Sequence, residues 1–507
     1  MSKEENLRAS AGASLIWGVG FTLARDVVQF LAMLVMVRLL SPQIYGQQAL
    51  AQTIIGFLAV ASMKTISNFP LQAREPDGFD WDAHFTACTA LNFSTFVLTN
   101  IVAFVILAFG GAQMTIIGQV VAFMSPLFIL EIACTYHVAW LQAHHRWGRL
   151  RLLLVAGSIT GASLGILLAW MGWGVFALAS TNLLFGLPTA LDFVLLSKHR
   201  PKFAISRLRD YKDGVKFGLN RGASSSIQEG RSLIEQSAMS AFFGFAVLGS
   251  YSRAIGLAQI TTGRIGPVVT GSLYSVLTRA EASSERFQRF AALLFRGVAW
   301  TSVPAAAFLA VEAPAIVSLL YGARWESVIP LMAMASALLA LKGCTGTLYQ
   351  TMLANLQTSA CLRFDILASI IGVTAVLATL AFGVSTYLLA LLCCQIFLLF
   401  ALGYLGWRGG AIKLGALLYP FVPCLAATGA ASLLVIALPH PAMAPGDGWA
   451  SQALILTLRA GVFGVAYLLA LCTFAPKAVV AVLDALPIYA RVRNIFTRLL
   501  STRPANP

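Results

Sequence analysis

Fourteen apolar runs divide this chain, and they constrain its fold more than any other feature. They fall roughly at 11–38, 44–67, 83–109, 114–140, 150–170, 173–196, 215–242, 246–277, 288–311, 327–354, 362–382, 385–406, 414–438 and 452–475. A helix needs about 20 apolar residues to cross a bilayer, and 507 residues have room for all fourteen. Side chains are 58% hydrophobic and 11% charged, with a mean hydropathy of +0.79. Soluble domains carry roughly 25% charged residues, and no soluble core could hide this much apolar surface. Disorder is excluded because the chain is rich in apolar groups and poor in charge. A disulfide scaffold is excluded by the length and by eight scattered cysteines. The expected fold is an all-α polytopic membrane protein with about fourteen transmembrane helices.

The net charge is +15, from 35 Lys+Arg against 20 Asp+Glu. In a soluble chain this balance points to nucleic acid. In a membrane protein, cytoplasmic loops collect Lys and Arg. An even number of crossings puts both termini on one side. With that side cytoplasmic, the inside segments hold 24 basic residues and the outside loops two, Arg38 and Arg324. The other nine lie within apolar runs. The asymmetry expects both termini in the cytoplasm and leaves no surplus that needs a nucleic acid partner. The first ten residues hold two Glu, and the first run is too long for a cleaved signal. It is expected to stay as an anchor.

The longest inside connection, Ser197–Lys216, is basic and is expected to lie partly at the interface. Around it the chain divides into a six-helix bundle (1–197), a basic cytoplasmic linker (198–213), a second six-helix bundle (214–406), a helix pair (407–476) and a tail (477–507) that alternates apolar and basic residues. At an offset of 203 residues, Gly46 falls on Gly249, Asp26 on Glu229 and Arg25 on Gln228. Such a repeat fits halves related by a pseudo-two-fold along the membrane normal, as in many secondary transporters.

Enzyme signatures are missing: there is no Walker A pattern, no HExxH and no paired CxxC. No catalytic residue, metal or cofactor is expected. The cysteines read as small buried hydrophobes. His137, inside an apolar run, reads as a packed or water-linked histidine. Gly157, Gly161 and Gly165 repeat at i+4 and mark a helix face that another backbone can approach.

The intramembrane charges are the informative residues, because a charge in hydrocarbon costs at least a few kcal/mol and usually faces a cavity, a partner or a pathway. The first run carries Arg25 and Asp26, the second Lys64, the seventh Arg221, Glu229, Arg231 and Glu235, and the eighth Arg253 and Arg264. Arg231 and Glu235 form an i,i+4 pair. Arg25 and Asp26 point about 100° apart, so a pair between them is not expected, and Lys64 or Arg221 are the candidate partners of Asp26. Arg253 and Arg264 are eleven residues apart, within about 20° of a whole number of turns, and so share one face about 16 Å apart. Neither has an acid at i±3 or i±4. Across these four helices six basic residues meet three acids. The excess argues for an anionic ligand, and the planar fork of Arg suits phosphate. Glu131 and Asp365 are candidates for ion coupling or charge pairing, as are Asp26 and Glu229.

Three segments then carry a family resemblance. Val37-Arg38-Leu39-Leu40-Ser41-Pro42-Gln43-Ile44-Tyr45-Gly46 resembles the first outside loop of the Wzx-type polysaccharide flippases. Leu248-Gly249-Ser250-Tyr251-Ser252-Arg253-Ala254 resembles the start of their eighth helix. Leu319-Leu320-Tyr321-Gly322 with Trp325 resembles the loop before their tenth. The resemblance implies the multidrug/oligosaccharidyl-lipid/polysaccharide exporter superfamily. It further implies a substrate made of undecaprenyl diphosphate and an oligosaccharide, flipped across the bacterial inner membrane for lipopolysaccharide or exopolysaccharide synthesis. Membrane lipids, a polysaccharide polymerase and chain-length proteins are the partners it suggests. Related lipid II flippases have a cationic cavity with Arg on helices one and eight, positions that Arg25, Arg253 and Arg264 match approximately. The expected site is therefore a central cavity lined by Arg25, Lys64, Arg221, Arg253 and Arg264. A multidrug exporter of the same superfamily would carry acids there, for cationic substrates. A membrane enzyme of polysaccharide assembly would need larger, charged outside loops.

Overall fold

The computed structural model describes residues 3–480 apart from 61–65, 67–68, 73–77, 198, 210, 278–282, 414, 416–418, 420, 439–448 and 477. For residues 3–19, 209, 217, 219–221, 223–224 and 263–277 it describes the backbone alone. Lys64, most of the outside loop 439–451 and nearly all of the tail after 477 therefore lie outside the described residues.

Helices stand where the apolar runs predict them. We number them α1 (Lys3–Leu39), α2 (Pro42–Ala59), α3 (Trp81–Phe109), α4 (Gly111–Ala143), α5 (Trp147–Trp170), α6 (Val175–Leu196), α7 (212–243), α8 (245–277), α9 (Glu285–Val311), α10 (Val328–Ala354), α11 (Thr358–Phe382), α12 (Val384–Arg408), α13 (Phe421–Ala437) and α14 (Trp449–Phe474). No strand occurs among the described residues. Among the described residues, eleven segments are long and apolar enough to cross a membrane, with Ser225–Thr262 of α7 and α8 counted as one. The 18-residue α2 and the 17-residue α13 complete the set. Backbone groups in hydrocarbon must find partners within their own segment, which is why a chain this apolar is all helix.

Local chemistry sets the ends. Ser41 precedes α2 with Pro42 at its first turn, where the missing N–H costs nothing. Asp80 caps α3 by accepting from the Ala83 N–H at 3.0 Å, and Ser284 caps α9 through the Phe287 N–H at 3.1 Å. α7 and α8 are separated by Gly244, whose φ of 81° and ψ of 166° no other residue adopts cheaply. α4 is interrupted by a turn at Ser125–Pro126.

The internal repeat is visible in the backbone. A Cβ at Gly46 would overlap the carbonyl oxygen of Phe245, and a Cβ at Gly249 would overlap that of Pro42. The contact is reciprocal at the same 203-residue offset, so the starts of α2 and α8 cross with backbone on backbone. The turns after α4 and α10 repeat too. His145 and Leu356 both take positive φ, 54° and 61°. The N–H that follows each reaches back to the carbonyl of Leu141 at 2.8 Å or Met352 at 3.0 Å.

The chain packs as two units, Met1–Ser252 with Gly372–Gly383, and Arg253–Ile371 with Val384–Pro507. In the first, α1 lies on α5 and α5 on α6. The glycine face of α5 does what its spacing implies: a side chain at Gly157, Gly161 or Gly165 would run into Phe185, Thr181 or Ala177 of α6. In the second, Phe287, Phe295, Cys344, Leu402, Cys424 and Tyr467 join α9, α10, α12, α13 and α14 in one core. Of the eight cysteines, Cys88, Cys344, Cys361 and Cys424 are buried, Cys134 and Cys394 half-buried, and Cys393 and Cys472 exposed. Exposure here includes lipid: Leu23, Val27, Leu31 and Val35 make an outward stripe at i+4 along α1.

Candidate functional site

On α1, Arg25 lies about 140° around the helix from that outward stripe. The expectation that it does not pair with Asp26 is corrected. Arg25 Nη2 lies 3.3 Å from Asp26 Oδ1, and Nε donates to the same oxygen at 3.4 Å. The reach of the arginine stem is the reason: the guanidinium swings back along the helix surface to meet the short carboxylate. Both side chains stay about 30% exposed, at 30% and 28%.

On α7, Arg231 and Glu235 form the i,i+4 pair read from the sequence, at 3.5 Å. The Arg231 stem packs on Gly372 of α11, where a Cβ would sit 3.2 Å from its Cδ. Two residues before Arg231, Glu229 is half-buried with its carboxylate against Gly56 of α2, 3.2 Å from where a Cβ would be. Gly56 leaves the space that the carboxylate fills. The side chain of Arg221 lies outside the described residues.

On α8, Arg253 is half-buried. Its carbonyl accepts a hydrogen bond from the Tyr321 hydroxyl at 3.3 Å. Two of the three segments that carry the family resemblance therefore meet, and the reciprocal glycine contact joins the first to the second. Tyr321 is 2% exposed. Burial pushes its phenol up to about 12, with the charge of Arg253 pulling the other way, so the hydroxyl keeps the proton that it donates. The helix runs unbroken from 245 to 277, which keeps Arg253 and Arg264 within about 20° of one face. Of Arg264 only the backbone is described.

The remaining candidate acids have partners. Thr135 donates to Glu131 Oε2 at 3.2 Å. The Tyr349 hydroxyl donates to Asp365 Oδ2 at 2.7 Å, and Asp365 is buried. His137 is packed, as its setting suggests, and its Nε2 lies 2.7 Å from Asp192 Oδ2. Arg149 donates to Asp192 Oδ1 at 2.7 Å. This cluster gathers Trp140, His144 and His199 in stacked rings. Burial holds the His199 imidazole below its usual range, opposed by Asp82 and aided by His144.

Two charges carry more weight in the structure than in the sequence reading. Glu312 is fully buried just past the end of α9. It accepts from Arg459 Nε of α14 at 2.8 Å, while Arg459 Nη2 donates to the Val435 carbonyl of α13 at 2.9 Å. Arg459, alone in its apolar run, is the signal that could have found the pair. Asp192 lies at the end of α6, and its partners are forty residues or more away in sequence, so spacing could not reveal it.

A family model described as "Polysaccharide biosynthesis protein" matches residues 35–330. A Klebsiella pneumoniae protein described as an "Uncharacterized membrane protein in cps region" is 20% identical over 373 residues, covering 72% of this chain and 76% of that protein. Among solved structures, the lipid II flippase MurJ in an inward closed conformation superposes with a TM-score of 0.66 at 13% identity, over 91% of this chain and all of that one. An inward-facing multidrug resistance MATE family transporter of the MOP superfamily gives 0.55 at 16% identity, over 80% and 98%. At these identities the two structures show a shared fold.

Proposed function

The chain belongs to the polysaccharide biosynthesis protein family and is a multi-pass membrane protein; from that premise we propose that it flips an undecaprenyl-diphosphate-linked oligosaccharide repeat unit across the bacterial inner membrane. The observation that carries this reading is the balance of charge in the first, second, seventh and eighth apolar runs. Six basic residues, Arg25, Lys64, Arg221, Arg231, Arg253 and Arg264, stand against Asp26, Glu229 and Glu235. Two of those acids are engaged on their own helices, by Arg25 and Arg231. Three acids cannot neutralise six cations, and a diphosphate supplies the missing negative charge. Each Arg offers a planar fork that a phosphoryl group can bridge. An exporter of cationic drugs would invert that balance.

In this reading the cations hold the diphosphate while the isoprenoid tail stays in lipid. The two six-helix bundles, 1–197 and 214–406, alternate access to the two leaflets. Flipping breaks no covalent bond and needs no catalytic group. Glu229 and Asp365 are the acids we assign to ion coupling.

The experiment is polysaccharide export in a flippase-null strain. Losing a charge-assisted hydrogen bond to an anion costs about 1.5–3 kcal/mol, roughly ten- to more than hundredfold in binding. Arg253→Ala/Arg264→Ala should lose export at unchanged membrane abundance. Wild-type export at equal abundance would overturn the diphosphate assignment. Arg253→Lys should restore only part, because it keeps the charge and loses the fork. The orientation is tested by impermeant labelling of single cysteines in a cysteine-free background. Residues 199–209 should label only after the membrane is opened, and labelling in intact cells would reverse the topology.

A further inference from the structure

The connection after α6 presents an apolar and basic surface that is held in one place. Leu195 and Leu196 at the end of α6 are 68% and 67% exposed, and Phe203 and Ile205 beyond it are 67% and 75% exposed. Phe203 and Ile205 lie outside every membrane-length helix. Single exposed apolar residues are ordinary. Here four occur within one short stretch, interleaved with the exposed cations Arg200, Lys202 and Arg207.

The stretch is tied down along its length. The Lys202 N–H donates to Asp82 Oδ1 at 2.9 Å, and the Ala204 N–H to Thr86 Oγ1 at 2.8 Å. Arg207 Nη1 donates to Asp80 Oδ1 at 3.3 Å, on the residue that caps α3. The Tyr211 hydroxyl lies 2.6 Å from His84 Nδ1. Arg200 Nη2 donates to the Val194 carbonyl at 2.6 Å. These ties bury Ala204 and leave its neighbours Phe203 and Ile205 outward, Phe203 resting on the Phe85 ring at 5.3 Å between centroids.

We propose that residues 199–207 form a strap that seats Phe203 and Ile205 in the headgroup layer and binds anionic phospholipid through Arg200 and Lys202. Charge complementarity selects this occupant. The strap is basic, it follows a membrane-length helix and it is fixed to the end of another, so its apolar side chains lie where hydrocarbon gives way to headgroups. Each Lys or Arg near an anionic leaflet is worth roughly a fivefold change in local partition. The ties to α3 set the height of the strap before lipid arrives, so little ordering is left for binding to oppose. This inference stands apart from the flippase reading.

The test uses the full chain in a cysteine-free background, with Phe203→Cys carrying an environment-sensitive dye. The protein is reconstituted into vesicles of phosphatidylcholine alone or with phosphatidylglycerol. A nitroxide on the headgroup region should quench the dye, and phosphatidylglycerol should raise the quenching at least about twofold. Arg200→Gln/Lys202→Gln should remove that increment and leave the quenching in phosphatidylcholine. A dye open to iodide in both vesicles overturns the strap. So does a dye shielded from iodide and nitroxide alike, which marks a protein partner. Quenching that ignores phosphatidylglycerol overturns the headgroup site. Ile205→Cys repeats the test without disturbing the Phe85 contact, should Phe203→Cys fail to fold.

Discussion

Arg459 on α14 and Arg25 on α1 are both arginines in hydrocarbon-length helices, yet their surroundings differ. Arg459 is 7% exposed as a side chain, and its partner Glu312 not at all. Its fork is spent on that carboxylate and on the Val435 carbonyl, so it ties α14 to α13 and to the end of α9. Arg25 is 30% exposed and meets an acid on its own helix. Dry arginines that bridge helices hold the fold. In the proposed function the more exposed ones, on helices where cations outnumber acids, are those that meet the ligand. Under that proposal exposure is the criterion that sorts structural from functional charge, and it is open to direct attack.

The largest effect is expected at the dry pair. Removing one partner of a buried ion pair costs about 3–5 kcal/mol, because the other charge is left unmet. Arg459→Ala or Glu312→Ala should therefore lower membrane abundance and the detergent melting temperature sharply. Arg459→Leu/Glu312→Leu should recover much of the loss, since apolar pairs of similar volume often replace buried ion pairs without penalty. Single variants that melt like wild type would place this pair with the exposed ones.

The glycine crossing comes next. Gly46→Ala or Gly249→Ala would press a methyl group into a backbone carbonyl on the facing helix, and backbone yields less readily than a side chain. Overpacking costs roughly 1–3 kcal/mol. Because the contact is reciprocal, the two substitutions should have similar effects on melting and should be less than additive together, since one separation of the helices relieves both. Full additivity would mean that the two sites are accommodated independently.

Much of this fold was legible from period and length. Each of the fourteen apolar runs holds a helix among the described residues, because a chain in lipid has few other ways to pair its backbone. The glycine spacing on α5 predicted a close helix contact, and the 203-residue offset made Gly46 and Gly249 equivalent positions of a repeat without stating that they touch. Pairings over long separations were not legible. Nothing in the local sequence joins Glu312 to Arg459 or Asp192 to Arg149. The Arg25–Asp26 contact was missed for a different reason: the 100° rule describes where Cβ atoms point and ignores how far a guanidinium travels beyond its own. The candidate site was legible as a charge imbalance, and its assembly was not, because each helix states its charges without stating which face they share with the next.

Asp26→Asn should give the smallest change in stability, and it sharpens the comparison most. The carboxylate contacts Arg25 at 3.3 Å on a partly exposed face, and pairs of that kind contribute about 0–1 kcal/mol. Abundance and melting should stay near wild type. Export should still fall, because the pair holds the Arg25 guanidinium on one line, and an amide holds it less firmly than a carboxylate. Arg25→Ala should fall further, since it removes the fork itself. The order expected for export is wild type, then Asp26→Asn, then Arg25→Ala, at equal membrane levels. If Asp26→Asn instead collapses abundance as Glu312→Ala is expected to, then Asp26 is bridging helices as Glu312 does, and exposure is the wrong criterion for telling the two kinds of charge apart.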